Sequence, residues 1–511
     1  MEEFNCEKSS NKLNNHKKKH TVPLIIEDSD SDNETVNEVV NETVNKNNTT
    51  FCNIDKITKP ELIKKCKELN VKNYSSKTKK EIVEMINSVI NKKTDQQTPE
   101  LEQPNEEIPN GEFIESTITT STGNELKYID LFCGIGGFHQ ALNKLNAKCV
   151  LACDIDKSCR EVYYENYKLM PVENVKTINE KEMPDFDIVC AGFPCQPFSN
   201  GGKKKTFDDE RGLLFDEIMR IAKEKKPRFM FLENVKHILK VSNGEVIEYI
   251  KTKIHNLGYK LQIFEISPHN YGIPQQRERV YFVCVRNDIY NGKDIQLPVF
   301  KGEIKMSNYL DEKEKIDKKY FISGDVLNVL EAWDEMVKLF DSGEKISPTI
   351  MINDAYRNYT DSEFNEFPDW KQEYITKNKP LIEKYQNEFN EWYKKHSKIL
   401  QRREIYGKLE WQTGIIQDDD SIFNHFIQIR QSGIRVKKSK YFPTLVAISQ
   451  IPIYGKEKRY ITPRECARLQ SFPDSFILAK DDKHSYKQLG NSVNVDNVHT
   501  VISSTLKHYG L

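Results

Sequence analysis

"KYIDLFCGIGGFHQAL", Lys127 to Leu142, is the stretch that decides the fold. It reads as a β-rich apolar run, then a glycine cluster, then an amphipathic helix beginning near Phe138. "AKCVLACDID" follows as a second strand and ends at Asp154, 20 residues past Gly134. Strand, glycine turn, helix, strand and acid, in that order, form a nucleotide-binding geometry: the glycines allow close backbone approach and the acid accepts ribose hydroxyls. "GIGG" departs from Gly-x-Gly-x-x-Gly, and no glycine falls where a pyrophosphate would press on the helix start. A ribose-bearing cofactor without a pyrophosphate fits better, and S-adenosylmethionine is the obvious one.

Outward from this unit, strands are expected at "DIVCAGF", "RFMFLEN", "YKLQIFEIS" and "RVYFVCVR", with helical stretches such as "GLLFDEIMRIAKEKK" between them. That alternation predicts an α/β fold with a mostly parallel sheet covered by helices on both faces. Chemistry in such a sheet sits at the carboxyl ends of the strands. "VCAGFPCQPFS", Val189 to Ser199, leaves one strand there with Cys195 between two prolines, which remove backbone donors and stiffen the loop. This segment alone also admits a packing cysteine, since free cysteines are often small buried hydrophobes. "ENV", Glu233 to Val235, closes another strand, and the shared placement favours function for both Cys195 and Glu233.

Length and composition bound the rest. A chain of 511 residues predicts roughly three or four units. Its 76 Lys+Arg and 77 Asp+Glu cancel, so affinity for nucleic acid would come from local patches. The 11 cysteines include no Cys-x-x-Cys pair and no zinc spacing, so no metal is expected. No secretory core opens the chain and no run reaches membrane-spanning length, which predicts a soluble intracellular protein, cytoplasmic, or nuclear if eukaryotic or viral. Residues 1–53, with "HKKKH", "EDSDSDNE" and "ETVNEVVNETVNKNN", read as a disordered tail. Residues 54–93 carry two helical patterns opened by the capping boxes "TKPE" and "TKKE", with 11 lysines against 5 acids. "KPELIKKCKELNVKNYSSKTKKEIVEMI" resembles a SAP-type DNA-binding helix pair, and a helical protein-docking module remains open. Residues 94–125 read as a linker.

"DLFCGIGGF", "GFPCQPFS", "FDDERGLLF", "ENV", "IPQQRERVYF", "TPRECARLQSFPDSF" and "QLGNSV", in that order, closely resemble the DNA (cytosine-5)-methyltransferase family over residues 128–511. The resemblance implies a Rossmann-like fold that uses S-adenosylmethionine, a catalytic domain at 126–300 and 458–511, and an inserted target-recognition region at 301–457. It implies Cys195 as nucleophile toward cytosine C6, Glu233 bonded to N3 and the amino group, and Arg277 and Arg279 on one side of the strand entry, touching the base edge and the active-site backbone. For the cofactor it implies Phe132, Gly134, Gly136 and Gly137 at the turn, Asp154 at the ribose and Ile155 against the adenine. Asn174 stands where the family often has an aspartate; Pro194, Leu214, Asn491, Ser492 and Val493 complete the site, with the last helix folded against the first. The base must be flipped out of the duplex for a thiolate to reach C6. Ser199, Lys203 and Arg211 suit a loop that closes on DNA.

From Asn287 to about Lys458 the alternation breaks down, and "DWKQEYITKNKPLIEKYQNEFNEWYKKHSKILQRREIYGKLEWQ" reads as helices. In "IRQSGIRVKKSKYFPTLVAIS", Arg430 and Arg435 are natural readers of guanine edges, and Thr444 begins a Thr-Leu pair like that of the family. Double-stranded DNA is the expected partner of a monomer, with a restriction endonuclease as a further partner if the enzyme belongs to such a system. A tRNA methyltransferase of the same fold and a non-catalytic DNA-binding protein are the alternatives; the latter would need none of Cys195, Glu233, Arg277 or Arg279.

Overall fold

A computed structural model describes residues 125–194, 213–355, 358–438, 440–446 and 450–511. The N-terminal tail, the SAP-like pair and the linker up to residue 124 therefore lie outside the described residues, as do Cys195, Ser199, Lys203 and Arg211.

The first sheet is built from β1 (Lys127–Leu131), β2 (Lys148–Cys153), β3 (Ile188–Gly192), β4 (Phe229–Val235), β5 (Tyr259–Ile266) and β6 (Arg279–Arg286). Its order is β2-β1-β3-β4-β6-β5, and β6 alone is antiparallel to its neighbours. The central strands are apolar on both faces because helices cover both. Alternation divides their side chains between two layers. Tyr128, Ile188, Cys190, Phe229 and Phe231 pack on one face with α1 (Gly137–Asn143) and the C-terminal helix α10 (Val495–His508). Ile129, Leu131, Val189, Ala191, Met230 and Leu232 pack on the other with α3 (Leu213–Lys225) and α4 (Glu245–Asn256); α2 (Lys157–Tyr167) lies between β2 and β3 in sequence. The last helix thus lies against the first, as the resemblance implies, with Lys144 paired to Asp496 at 2.7 Å.

A second six-stranded sheet, ordered β12-β11-β9-β10-β8-β7, is formed by β7 (Thr349–Met351), β8 (Lys408–Gln412), β9 (Phe426–Arg430), β10 (Gly433–Lys437), β11 (Ile453–Tyr454) and β12 (Arg459–Tyr460). Leu409, Trp411, Ile427, Ile434 and Val436 turn one face of it onto α5 (Gly324–Val337) and α7 (Gln386–Leu400), which follows α6 (Asp369–Lys384). The helical reading of the charged stretch holds from Asp369 to Leu400, and its end "KLEWQ" is strand β8. α8 (Pro463–Leu469) and α9 (Asp482–Asn491) then lead back to α10. Among the described residues no helix is long and apolar enough to cross a membrane.

Backbone bonds join the two sheets' units where Phe442 N donates to Pro274 O at 2.7 Å and Gln276 N to Phe442 O at 2.9 Å. The wholly buried Arg459 forks onto Glu465 with two bonds of 2.8 Å, and Glu465 also closes a capping box with Thr462 at the start of α8. A paired, hydrogen-bonded charge is the form in which an arginine is tolerated inside.

Candidate active site

The glycine turn forms because the chain needs left-handed backbone there: φ is 56° at Phe132, 52° at Gly134 and 89° at Gly136. A phenylalanine in that region costs about 1–2 kcal/mol, so the surrounding packing holds it. Gly134 N donates to Asp154 Oδ2 and Asp156 N to Asp154 Oδ1, both at 2.8 Å. Burial raises the Asp154 carboxyl, and these two amides oppose the shift. A Cβ at Gly134 would meet nothing within 4 Å, so the turn faces open space. Beside Asp154, Ile155 is 74% exposed, an apolar surface left uncovered where a flat base can pack. An acid braced at a strand end, space above a glycine and a bare isoleucine together fit an adenosine-bearing cofactor. Asn174 caps the turn Val175–Thr177, its side-chain oxygen accepting from Lys176 N at 3.0 Å, which leaves that oxygen one further lone pair.

The strap "GNSV" closes this space from the other side. A Cβ at Gly137 would lie 2.6 Å from Val493 Cγ2 and 3.0 Å from Ser492 Oγ, so only glycine lets the strap lie on α1. Asn491 is exposed, whereas Ser492 and Val493 are buried. Leu214 packs at the start of α3, and Pro194 is half-buried at the end of the segment that leads to Cys195.

Glu233 pairs in register with Gly192 across β3 and β4. A Cβ at Gly192 would be 3.7 Å from both Glu233 Oε2 and Val493 Cγ1, so the carboxylate and the strap converge three residues before Cys195. Arg279 Nε holds Glu233 Oε1 at 3.1 Å. Burial raises the Glu233 carboxyl, and the charges of Arg279 and then Arg277 oppose it. Asn234, beside it in "ENV", donates from Nδ2 to the Phe193 carbonyl at 3.0 Å and so holds the backbone two residues before Cys195.

Arg277 is 2% exposed and its bonds go to the backbone. Nη1 donates to Leu445 O at 2.6 Å, and Nη2 to Gly490 O at 2.9 Å and Ser492 O at 2.8 Å. Of the residues expected to meet DNA, Arg435 is bonded to Glu410 and the Thr444 hydroxyl donates to Gln276 O at 2.7 Å. Sequence reasoning missed Asn234, Gln276 and Glu410. The first two stand inside quoted motifs, which was the available signal; Glu410 lies in a stretch expected to be helical.

The C-5 cytosine-specific DNA methylase family profile matches residues 126–507. The chain belongs to this family. It is similar to the type II methyltransferase M.HhaI of Haemophilus parahaemolyticus, 31% identical over 368 residues, which are 72% of this chain and 90% of that one. It is also similar to M1.ScrFI of Lactococcus lactis subsp. cremoris, 33% identical over 387 residues, 75% of this chain and 78% of the other. Among solved structures, the S. pombe Dnmt2 methyltransferase aligns at 22% identity over 76% of this chain and 100% of that one, with a TM-score of 0.43. The protein is a DNA cytosine-5 methyltransferase, and the braced acid and its arginine lie within the segment that the family profile covers.

Proposed function

We propose that this enzyme methylates C5 of cytosine within a specific sequence of double-stranded DNA, by base flipping and a covalent bond from Cys195 to C6. It does so as the modification enzyme of a restriction system, with a cognate endonuclease, or as a solitary enzyme, and in either case as a monomer. The single observation that carries the reading is the convergence of Glu233, Arg279 and Val493 at Gly192, three residues before Cys195.

S-adenosylmethionine, held by the turn from Phe132 to Gly137, by Asp154 and Ile155, and by Asn174, Pro194, Leu214 and the strap from Asn491 to Val493, would supply an electrophilic methyl group. Cytosine C5 is a poor nucleophile until the Cys195 thiolate adds to C6 and pushes the ring electrons toward C5. Glu233, its carboxyl raised by burial, gives a proton or hydrogen bond to N3 as that density builds. Arg279 holds the carboxylate in place and opposes the effect of burial on it. Release needs the C5 proton to leave to a base while the C6–S bond breaks and returns the thiolate. Arg277, its guanidinium bonded to backbone carbonyls, acts as a positioning residue.

Residues 301–457 are read as the target-recognition region, with the polar face of the second sheet toward DNA; 54–93 are read as an accessory DNA-binding unit. A duplex carrying 5-fluorocytosine tests the chemistry, because fluorine at C5 cannot leave as a proton. The enzyme with S-adenosylmethionine should form a complex stable to denaturation, mapped by mass spectrometry to the peptide holding Cys195. Cys195→Ser should form none, and an adduct on another residue would refute the assignment.

A further inference from the structure

The second sheet turns its apolar face to its own helices, so the alternate residues of β8, β9 and β10 form a polar face. That face carries Glu410, Gln428, Arg430, Arg435 and Lys437, and Lys437 Nζ reaches Gln276 Oε1 at 2.6 Å, next to Arg277. The two arginines on it, both with side chains 28% exposed, are held very differently.

Arg435 is locked. Its Nε and Nη2 meet the two oxygens of Glu410 at 2.8 and 2.7 Å, and Gln412 Nε2 adds a third donor to the same carboxylate at 2.6 Å. Such a planar fork is the strongest ordinary arginine pairing. Arg430 has no such hold. Its nearest approach to the carboxylate, Nη1 to Glu410 Oε2, is 3.8 Å, beyond hydrogen-bond reach, and Nη1 is buried without an acceptor among the described residues. Arg430, Arg435 and Lys437 thus lie around Glu410; burial and the Arg435 charge push both Arg430 and Lys437 down from their usual values, opposed by Glu410 at Arg430 and by Glu278 at Lys437. Among the described residues, Arg430 is left without a hydrogen-bonded acid.

We propose that the two arginines divide the work: Arg430 reads the O6/N7 edge of a guanine in the target sequence, while Arg435, clamped by Glu410, braces the hairpin and reads nothing. This deepens the reading of the second sheet as the recognition surface and rests on it. Arg430 lies four residues along β9 from Phe426, the partner of Lys437 at the junction.

The test first fixes the methylated sequence by bisulfite sequencing of DNA treated with the full-length enzyme. Duplexes of that sequence, each with one guanine replaced by 7-deazaguanine, are then offered to wild type, Arg430→Ala, Arg430→Lys and Arg435→Ala. At one position the replacement, which removes the N7 acceptor and keeps O6, should slow wild type by about 2- to 12-fold, the range for losing about half of a bidentate base contact. Arg430→Ala should be indifferent to it there, and Arg430→Lys, whose ammonium can still donate to N7, should keep part of the penalty. Arg435→Ala should act more slowly on all duplexes while keeping the wild-type ranking. Competitive binding of the same duplexes gives the same comparison for any variant that binds without turnover. Wild-type ranking in Arg430→Ala, or loss of one position in Arg435→Ala instead, would overturn the division of labour. Wild type methylating no cytosine at all would overturn the underlying function.

Discussion

Replacing Arg277 with methionine should loosen the enzyme's centre before it touches the chemistry. The guanidinium is 2% exposed and donates to Leu445 O, Gly490 O and Ser492 O, which lie 168, 213 and 215 residues away in sequence. One side chain therefore ties the chain at Leu445 to the strap at Gly490–Ser492. Each bond to a charged donor contributes roughly 1.5–3 kcal/mol net, and each carbonyl stranded in the interior costs roughly 1–3 kcal/mol. Against that stands relief from burying a charge, whose cost is visible in a guanidinium pushed down to about 9 by burial and the nearby Arg279. Methionine fills much of the same volume, so the loss reports hydrogen bonds more than a cavity. Setting the lost bonds and stranded carbonyls against that relief gives a net destabilisation of about 4 kcal/mol. For a chain of this size that is an apparent melting temperature about 4 °C lower. Differential scanning fluorimetry without ligand reads it, and Arg277→Lys should fall between, since an ammonium cannot span three carbonyls in a plane. Arg277→Met melting within about 1 °C of wild type would refute the staple.

Two further substitutions probe the site. Arg279→Gln removes the larger of the two charges that oppose the rise of the Glu233 carboxyl, so the carboxyl rises further. The protonated acid is the donor to N3, so the rate falls as pH rises through its titration; in a pH–rate profile that fall should move to higher pH, and an unmoved fall would count against Arg279 as the tuning charge. Gly137→Ala places a methyl 2.6 Å from Val493 Cγ2, an overpacking expected to cost about 1–3 kcal/mol. Calorimetry should show weaker cofactor binding as well, whereas unchanged stability and affinity would mean the strap does not press on α1.

The glycine turn was legible because its chemistry is local. "DLFCGIGGF" and Asp154, 20 residues past Gly134, meet through one 2.8 Å bond that the spacing foretells. The strands of the first sheet were legible for the same reason: Ile188–Ala191 and Phe229–Leu232 are unbroken apolar runs. What sequence could not supply was long-range choice among equivalent groups. The motif "QQRER" puts Arg277 and Arg279 on one side, yet Arg279 meets Glu233 and Arg277 meets carbonyls more than 160 residues away. Arg430 and Arg435 look alike on paper; only the parallel pairing of β10 with β8 brings Glu410 beside Arg435. Asn234 was read as part of a motif, and its grip on the Phe193 carbonyl appears only once β3 and β4 are paired.

The most direct test of the central claim is bisulfite sequencing of plasmid DNA from cells expressing the whole chain, beside Cys195→Ser and Glu233→Gln. Protected cytosines confined to one sequence context in wild type, absent with Cys195→Ser and reduced roughly 10²- to 10⁴-fold in rate with Glu233→Gln, are the expected result. Protection that persists in Cys195→Ser, or none in wild type, would contradict it.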